Sequence, residues 1–106
     1  MTKRFAMILG VGLVGLTTWA SAAVTPRTLE IQNFKFLPAS VTIAPGTTVT
    51  WVNHDEETHT VTSAAGSFAS TGLEHDATFA HTFATPGTYT YFCALHPLMR
   101  ATVVVQ

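Results

Sequence analysis

Gly87-Thr88-Tyr89-Thr90-Tyr91-Phe92-Cys93-Ala94-Leu95-His96-Pro97-Leu98-Met99 reads as one strand running into one short loop. Tyr89, Tyr91 and Cys93 share a face and Phe92 takes the other, the two-residue alternation of a strand with one face buried. The loop then carries a cysteine, a histidine and a methionine at three-residue steps, Cys93, His96 and Met99. A further histidine, His59, opens the β-branched stretch His59-Thr60-Val61-Thr62 upstream. The chain can therefore offer one thiolate, two imidazoles and one thioether to a single ion.

Working outward, Pro86-Gly87 turns the chain into this strand and residues 101–105 supply another apolar run after the loop. Thr47-Thr48-Val49-Thr50-Trp51-Val52 follows the turn Ala44-Pro45-Gly46 and sets Val49 and Trp51 on one face, with Trp51 as a core anchor. Phe79-Ala80-His81-Thr82-Phe83 alternates in the same way. Leu29 and Ile31 share a parity that Phe34 and Phe36 break, which predicts a bulge or bend near Gln32-Asn33. No long stretch carries a 3.6-residue period, so the expected fold is an all-β sandwich or barrel without substantial helix.

The first residues stand apart. Lys3 and Arg4 precede an apolar run over residues 5–16, and Ala20-Ser21-Ala22 supplies small residues for cleavage. That run is shorter than the ~20 residues of a membrane span, so residues 1–22 read as a signal peptide. Cleavage after Ala23 fits nearly as well as after Ala22. Residues 23–106 then form one small exported domain with no membrane segment, expected to be a monomer. With Lys3 and Arg4 removed, Arg27, Lys35 and Arg100 face six carboxylates, a balance that excludes nucleic acid as a partner. A single cysteine cannot close an internal disulfide, so in an oxidising compartment Cys93 must pair between chains, lie buried, or bind metal.

Metal binding explains the spacing best. Thiolate and thioether favour Cu(I) while imidazole also accepts Cu(II), and two histidines with a cysteine and a weak axial methionine form a blue-copper site. His59 is preferred to His54 as the upstream donor, because His54 sits among carboxylates on an expected surface loop. A zinc site from His54, His59, His75 and the acidic loop Asp55-Glu56-Glu57 lacks tight ligand spacing. Asp55-Glu56-Glu57 reads as a solvated acidic turn, and His81 as a partly buried, hydrogen-bonded imidazole.

At these positions the chain resembles the cupredoxins, and most closely their amicyanin/plastocyanin-like group. The resemblance rests on Ile31-x-Asn33-Phe34-x-Phe36-x-Pro38, Val41-Thr42-Ile43, Pro45-Gly46-Thr47-x-Val49-x-Trp51-x-Asn53, His59-Thr60-Val61, Pro86-Gly87-Thr88-Tyr89-x-Tyr91-x-Cys93 and His96-Pro97-x-Met99-Arg100. It implies a Greek-key β-sandwich of about eight strands, with one type 1 copper ion held at one end by His59, Cys93, His96 and Met99. It further implies a soluble periplasmic electron carrier, not an enzyme, that meets redox partners such as a c-type cytochrome or a dehydrogenase only transiently. Copper storage or delivery is the alternative function. Four residues at three places depart from the group. Thr60 replaces an asparagine that ties the ligand loops together, Ala94-Leu95 replaces a Thr-Pro or Ser-Pro pair, and Ala101 replaces a glycine. Leu95 thereby regains a backbone N–H that proline lacks, placed in expectation to donate to the Cys93 sulfur.

Overall fold

Alternation along the short apolar segments resolves into strands that each turn one face inward. The computed structural model describes residues 24–106 and, before them, Gly10, Gly12 and Gly15 alone; the expected signal peptide over residues 1–22 otherwise lies outside the described residues. Among the described residues there are eight strands and no helix: β1 (Arg27–Gln32), β2 (Lys35–Leu37), β3 (Ser40–Ile43), β4 (Thr47–Asn53), β5 (Thr62–Ser63), β6 (Thr78–Phe83), β7 (Gly87–Phe92) and β8 (Arg100–Val105).

They form two four-stranded sheets, ordered β2-β1-β4-β6 and β3-β8-β7-β5. Only the connections β1 to β2 and β7 to β8 stay within a sheet; every other one crosses the sandwich. The β1–β4 and β3–β8 pairings are parallel and the rest antiparallel. This is the Greek-key sandwich that the resemblance implied, and it narrows the sandwich or barrel expected from the alternation alone.

Strand β4 shows why the sheets close. Thr47, Val49, Trp51 and Asn53 face inward and the three residues between them are half-buried. Trp51 is fully buried, stacks on Phe68 and Phe79, and meets Tyr91 of the opposite sheet edge-on. Its Nε1–H donates to the Tyr91 hydroxyl at 3.1 Å, so the one polar atom of the central aromatic is satisfied across the sandwich. Burial pushes the Tyr91 phenol up to about 12, although the indole bond pulls the other way. At Ala44-Pro45-Gly46 the chain turns as the sequence indicates, with Gly46 in the left-handed region at φ 89°.

Where a bulge or bend was expected near Gln32-Asn33, the chain does turn, and it turns through a full reversal. Gln32 pairs with Lys35, and Asn33 and Phe34 between them both take positive φ, 53° and 57°. Two central residues at positive φ make a type I′ hairpin turn. It restores Phe36 to the core and leaves Phe34 outside, at the end of the sandwich where the β7–β8 loop emerges.

Candidate metal centre

Two segments build the site. The first runs from the end of β4 to β5. Asn53 is fully buried; its Nδ2 donates to the carbonyls of Glu57 and Leu73, both at 2.8 Å, and its Oδ1 accepts the N–H of Asp55 at 2.9 Å. One amide side chain thus fixes the loop that leads to His59. His59 itself exchanges two backbone hydrogen bonds with Leu73, at 3.1 and 2.7 Å, which hold it as firmly as a strand residue would be.

The second segment is the β7–β8 loop, which folds on its own backbone. The N–H of His96 donates to the carbonyl of Cys93, that of Met99 to His96, and that of Cys93 to Met99, at 3.2, 2.9 and 3.1 Å. Pro97 lies inside this closed loop and needs no donor there.

Together the segments bring His59, Cys93 and His96 into one group whose donor atoms lie within 4.8 Å of one another. Cys93 Sγ is 3.7 Å from His59 Nδ1 and 3.6 Å from His96 Nδ1. A first-row ion bonded at about 2.3 Å to sulfur and about 2.0 Å to nitrogen, with about 120° between them, sets its donors about 3.7 Å apart. The spacing is therefore one at which His59, Cys93 and His96 could hold a single metal ion together. Met99 is buried on the same loop and lines the same hollow as His96. This cluster of His59, Cys93, His96 and Met99 is typical of a type 1 copper site.

The choice of His59 over His54 agrees with this placement. His59 is 0% exposed beside the sulfur, whereas His54 lies on the rim with its Nε2 3.7 Å from Glu30. His75 is also exposed, and the Asp55 carbonyl at its Nδ1, assisted by the charges of Asp76 and Glu56, raises its pKa. The three histidines of the zinc alternative do not converge. His81 is half-buried as expected, but its ring lies 4.8 Å from both Phe68 and Phe83 rather than on a hydrogen-bond partner, and burial lowers its pKa.

Thr60 preserves the tie between the loops despite its shorter side chain. Its hydroxyl oxygen accepts the N–H of Ala94 at 2.7 Å, and its backbone N–H donates to Cys93 Sγ at 3.3 Å. The donor to the sulfur is thus Thr60, and the expected bond from Leu95 is not formed.

Sequence reading missed Asp55. Far from being a solvated turn residue, its carboxylate accepts the N–H of Asn33 at 2.7 Å and of Phe34 at 2.9 Å, and it lies 2.8 Å from His59 Nε2. Burial pushes its pKa up, but the Phe34 N–H, the imidazole and the Asn33 N–H outweigh that and hold it below the usual carboxylate value. Its position four residues before His59 was the available signal. Phe34 was likewise unassigned; its ring meets those of His59 and His96 edge-on, with centroids 5.1 Å away in each case.

Comparison with known proteins agrees with this geometry. A family model described as a cupredoxin-like domain matches residues 5–105. The chain is 38% identical over 81 residues to the amicyanin of Paracoccus versutus, covering 72% of this chain and 61% of that protein. It is 37% identical to the plastocyanin of Scenedesmus fuscus, covering 67% of this chain and 86% of the plastocyanin. The crystal structure of the Paracoccus versutus amicyanin superposes with a TM-score of 0.69 at 34% identity, covering 82% of this chain and 87% of that one. The chain thus spans about six-tenths of the amicyanin sequence and most of its solved domain. By fold, donor set and sequence alike, the chain belongs to the cupredoxin-like family.

Proposed function

We propose that this chain is an exported type 1 copper protein that carries single electrons between redox partners, with His59, Cys93, His96 and Met99 as the ligands. The observation that carries the reading is the pair of imidazole Nδ1 atoms at 3.6 and 3.7 Å from a fully buried cysteine sulfur, on a loop that opens to an apolar surface. Copper bound there supplies a Cu(II)/Cu(I) couple. The chain's own contribution is rigidity. Closed loop hydrogen bonds and the Thr60 tie leave the donors little freedom to rearrange when the charge changes.

The half-buried His96 ring links the sulfur to the outside: its Nδ1 faces Cys93 while it also lines a hollow with Phe34, Leu95, Pro97, Leu98 and Met99. Leu98 is 96% exposed and Leu95 56%, an apolar patch suited to short-lived docking. Exposed Glu56 and Glu57 lie in the loop before His59, and their charge suits a basic partner such as a c-type cytochrome. Turnover of a substrate is not part of this reading, since Cys93 is flanked by Phe92 and Ala94 rather than by a histidine that would serve a second copper. Storage or delivery fits less well, because His59 and Cys93 are fully buried and so suited to retaining an ion. We read residues 1–22 as the signal peptide, residues 23–106 as the mature domain and the periplasm as its compartment.

Titration of the metal-free protein with Cu(II), followed by visible absorption, tests the ligand set. One equivalent should give an intense charge-transfer band that Cys93→Ser and His59→Ala abolish and His54→Ala leaves in place. A band that survives His59→Ala but not His54→Ala would overturn the assignment.

A further inference from the structure

Asn33 and Phe34 form a type I′ turn, which favours glycine at its second central position, yet that position holds phenylalanine at φ 57°. A bulky residue in the left-handed region is costly and persists where its surroundings over-determine it. Here two neighbours do so. Below the turn, the adjacent N–H groups of Asn33 and Phe34 converge on one carboxylate, the arrangement of a backbone nest around an anion. Above it, the Phe34 ring lies edge-on to both imidazoles that flank the cysteine sulfur.

The same carboxylate faces the ligand. An ionised carboxylate only accepts hydrogen bonds, so Asp55 Oδ2 at 2.8 Å requires the proton of a neutral His59 ring to sit on Nε2. The Nδ1 lone pair is thereby directed at Cys93 Sγ. A carboxylate behind a ligating imidazole also makes it a stronger base than a neutral acceptor would.

We propose that Asp55 is a positioning residue for the metal: its carboxylate sets the tautomer and orientation of His59 and pins the turn that caps the site with Phe34, so that ligand and cap form one unit before any ion arrives. A strengthened imidazole donor favours Cu(II) over Cu(I), so Asp55 holds the potential down. This rests on the type 1 reading above for its redox consequence, and on the chain alone for the rest.

The test therefore has two arms. In the metal-free protein, nitrogen-15 NMR should show His59 as a single Nε2–H tautomer, with its ring protons and those of His96 shifted by the Phe34 ring. Asp55→Ala should abolish both signatures, and their persistence in that variant would overturn the clamp. In the copper-loaded protein, Asp55→Asn keeps an oxygen for His59 but removes the charge. It should weaken Cu(II) relative to Cu(I) about tenfold, a rise in potential of about 59 mV. Glu57→Gln, which removes an exposed charge from the same loop, should leave the potential where it is. A potential unchanged or lowered in Asp55→Asn, or raised equally by Glu57→Gln, would overturn the tuning role. Should the wild-type protein take up no copper, the type 1 reading fails while the metal-free arm still decides the clamp.

Discussion

Thr60 shows how much one side chain carries at the site. Its hydroxyl is the acceptor for the Ala94 N–H at the start of the ligand loop, and its own N–H reaches the sulfur. Removing an acceptor from a part-buried donor costs about 1–3 kcal/mol, because the donor loses its partner without regaining water. Thr60→Ala should therefore lower stability by about that amount in urea unfolding, and Thr60→Ser should recover most of it. Equal losses in the two variants would mean that the threonine methyl, not the hydroxyl, matters. Asn33 and Phe34 carry a different lesson at this scale: their backbone conformation is locally unfavourable and depends on groups that arrive from elsewhere in the chain.

Strand β6 holds an element-scale consequence. It pairs with β4, and its inward-facing His81 lies between Phe68 and Phe83, where burial lowers the imidazole pKa below its ordinary 6.5. As pH falls through about 6.5 the unfolded chain takes up the proton first. The unfolded state then binds more protons than the folded one, so stability falls with pH from about 6.5 down to the depressed folded value and is unaffected above that window. His75 has the opposite shift, with stabilisation present at low pH and lost as pH rises through its raised value. Subtracting the melting curves of His81→Phe from those of wild type isolates the first effect. The wild-type melting temperature should fall relative to the variant between pH 7 and 5, and parallel curves would show that the ring is freely solvated.

For the whole molecule, the sandwich sets chemistry and charge at one end. Leu95, Leu98 and Phe34 are exposed around His96, while Glu56 and Glu57 lie on the loop that delivers His59. Short-range apolar docking and long-range steering respond differently to salt, since exposed charges are screened over about 10 Å at 0.1 M ionic strength. Electron exchange with a basic redox protein should therefore slow in Leu98→Asp at every ionic strength. It should slow in a Glu56→Gln, Glu57→Gln double variant chiefly at low salt. Stopped-flow rates that ignore Leu98→Asp would move the exit away from His96.

The sequence by itself determined the all-β character and most of the strands, the turn at Pro45-Gly46, Trp51 as the core anchor and the cluster of His59, Cys93, His96 and Met99. These depend on local periodicity and on residue types that few other chemistries place at such spacing. It also favoured His59 over His54, which sits among carboxylates on a surface loop. What holds His59 is an isolated pair of backbone bonds to Leu73 and not the strand start its β-branched stretch suggested, since β5 begins only at Thr62. Only the tertiary structure decided what surrounds the donors. Thr60 rather than Leu95 bonds to the sulfur, Asp55 turns inward, and Phe34 caps two imidazoles, each through partners from 21 to 62 residues away in the chain. Such contacts leave no periodic trace, since they depend on how two sheets stack and where a hairpin reverses. An acidic loop residue and an exposed aromatic look alike in sequence whether they face water or a buried imidazole.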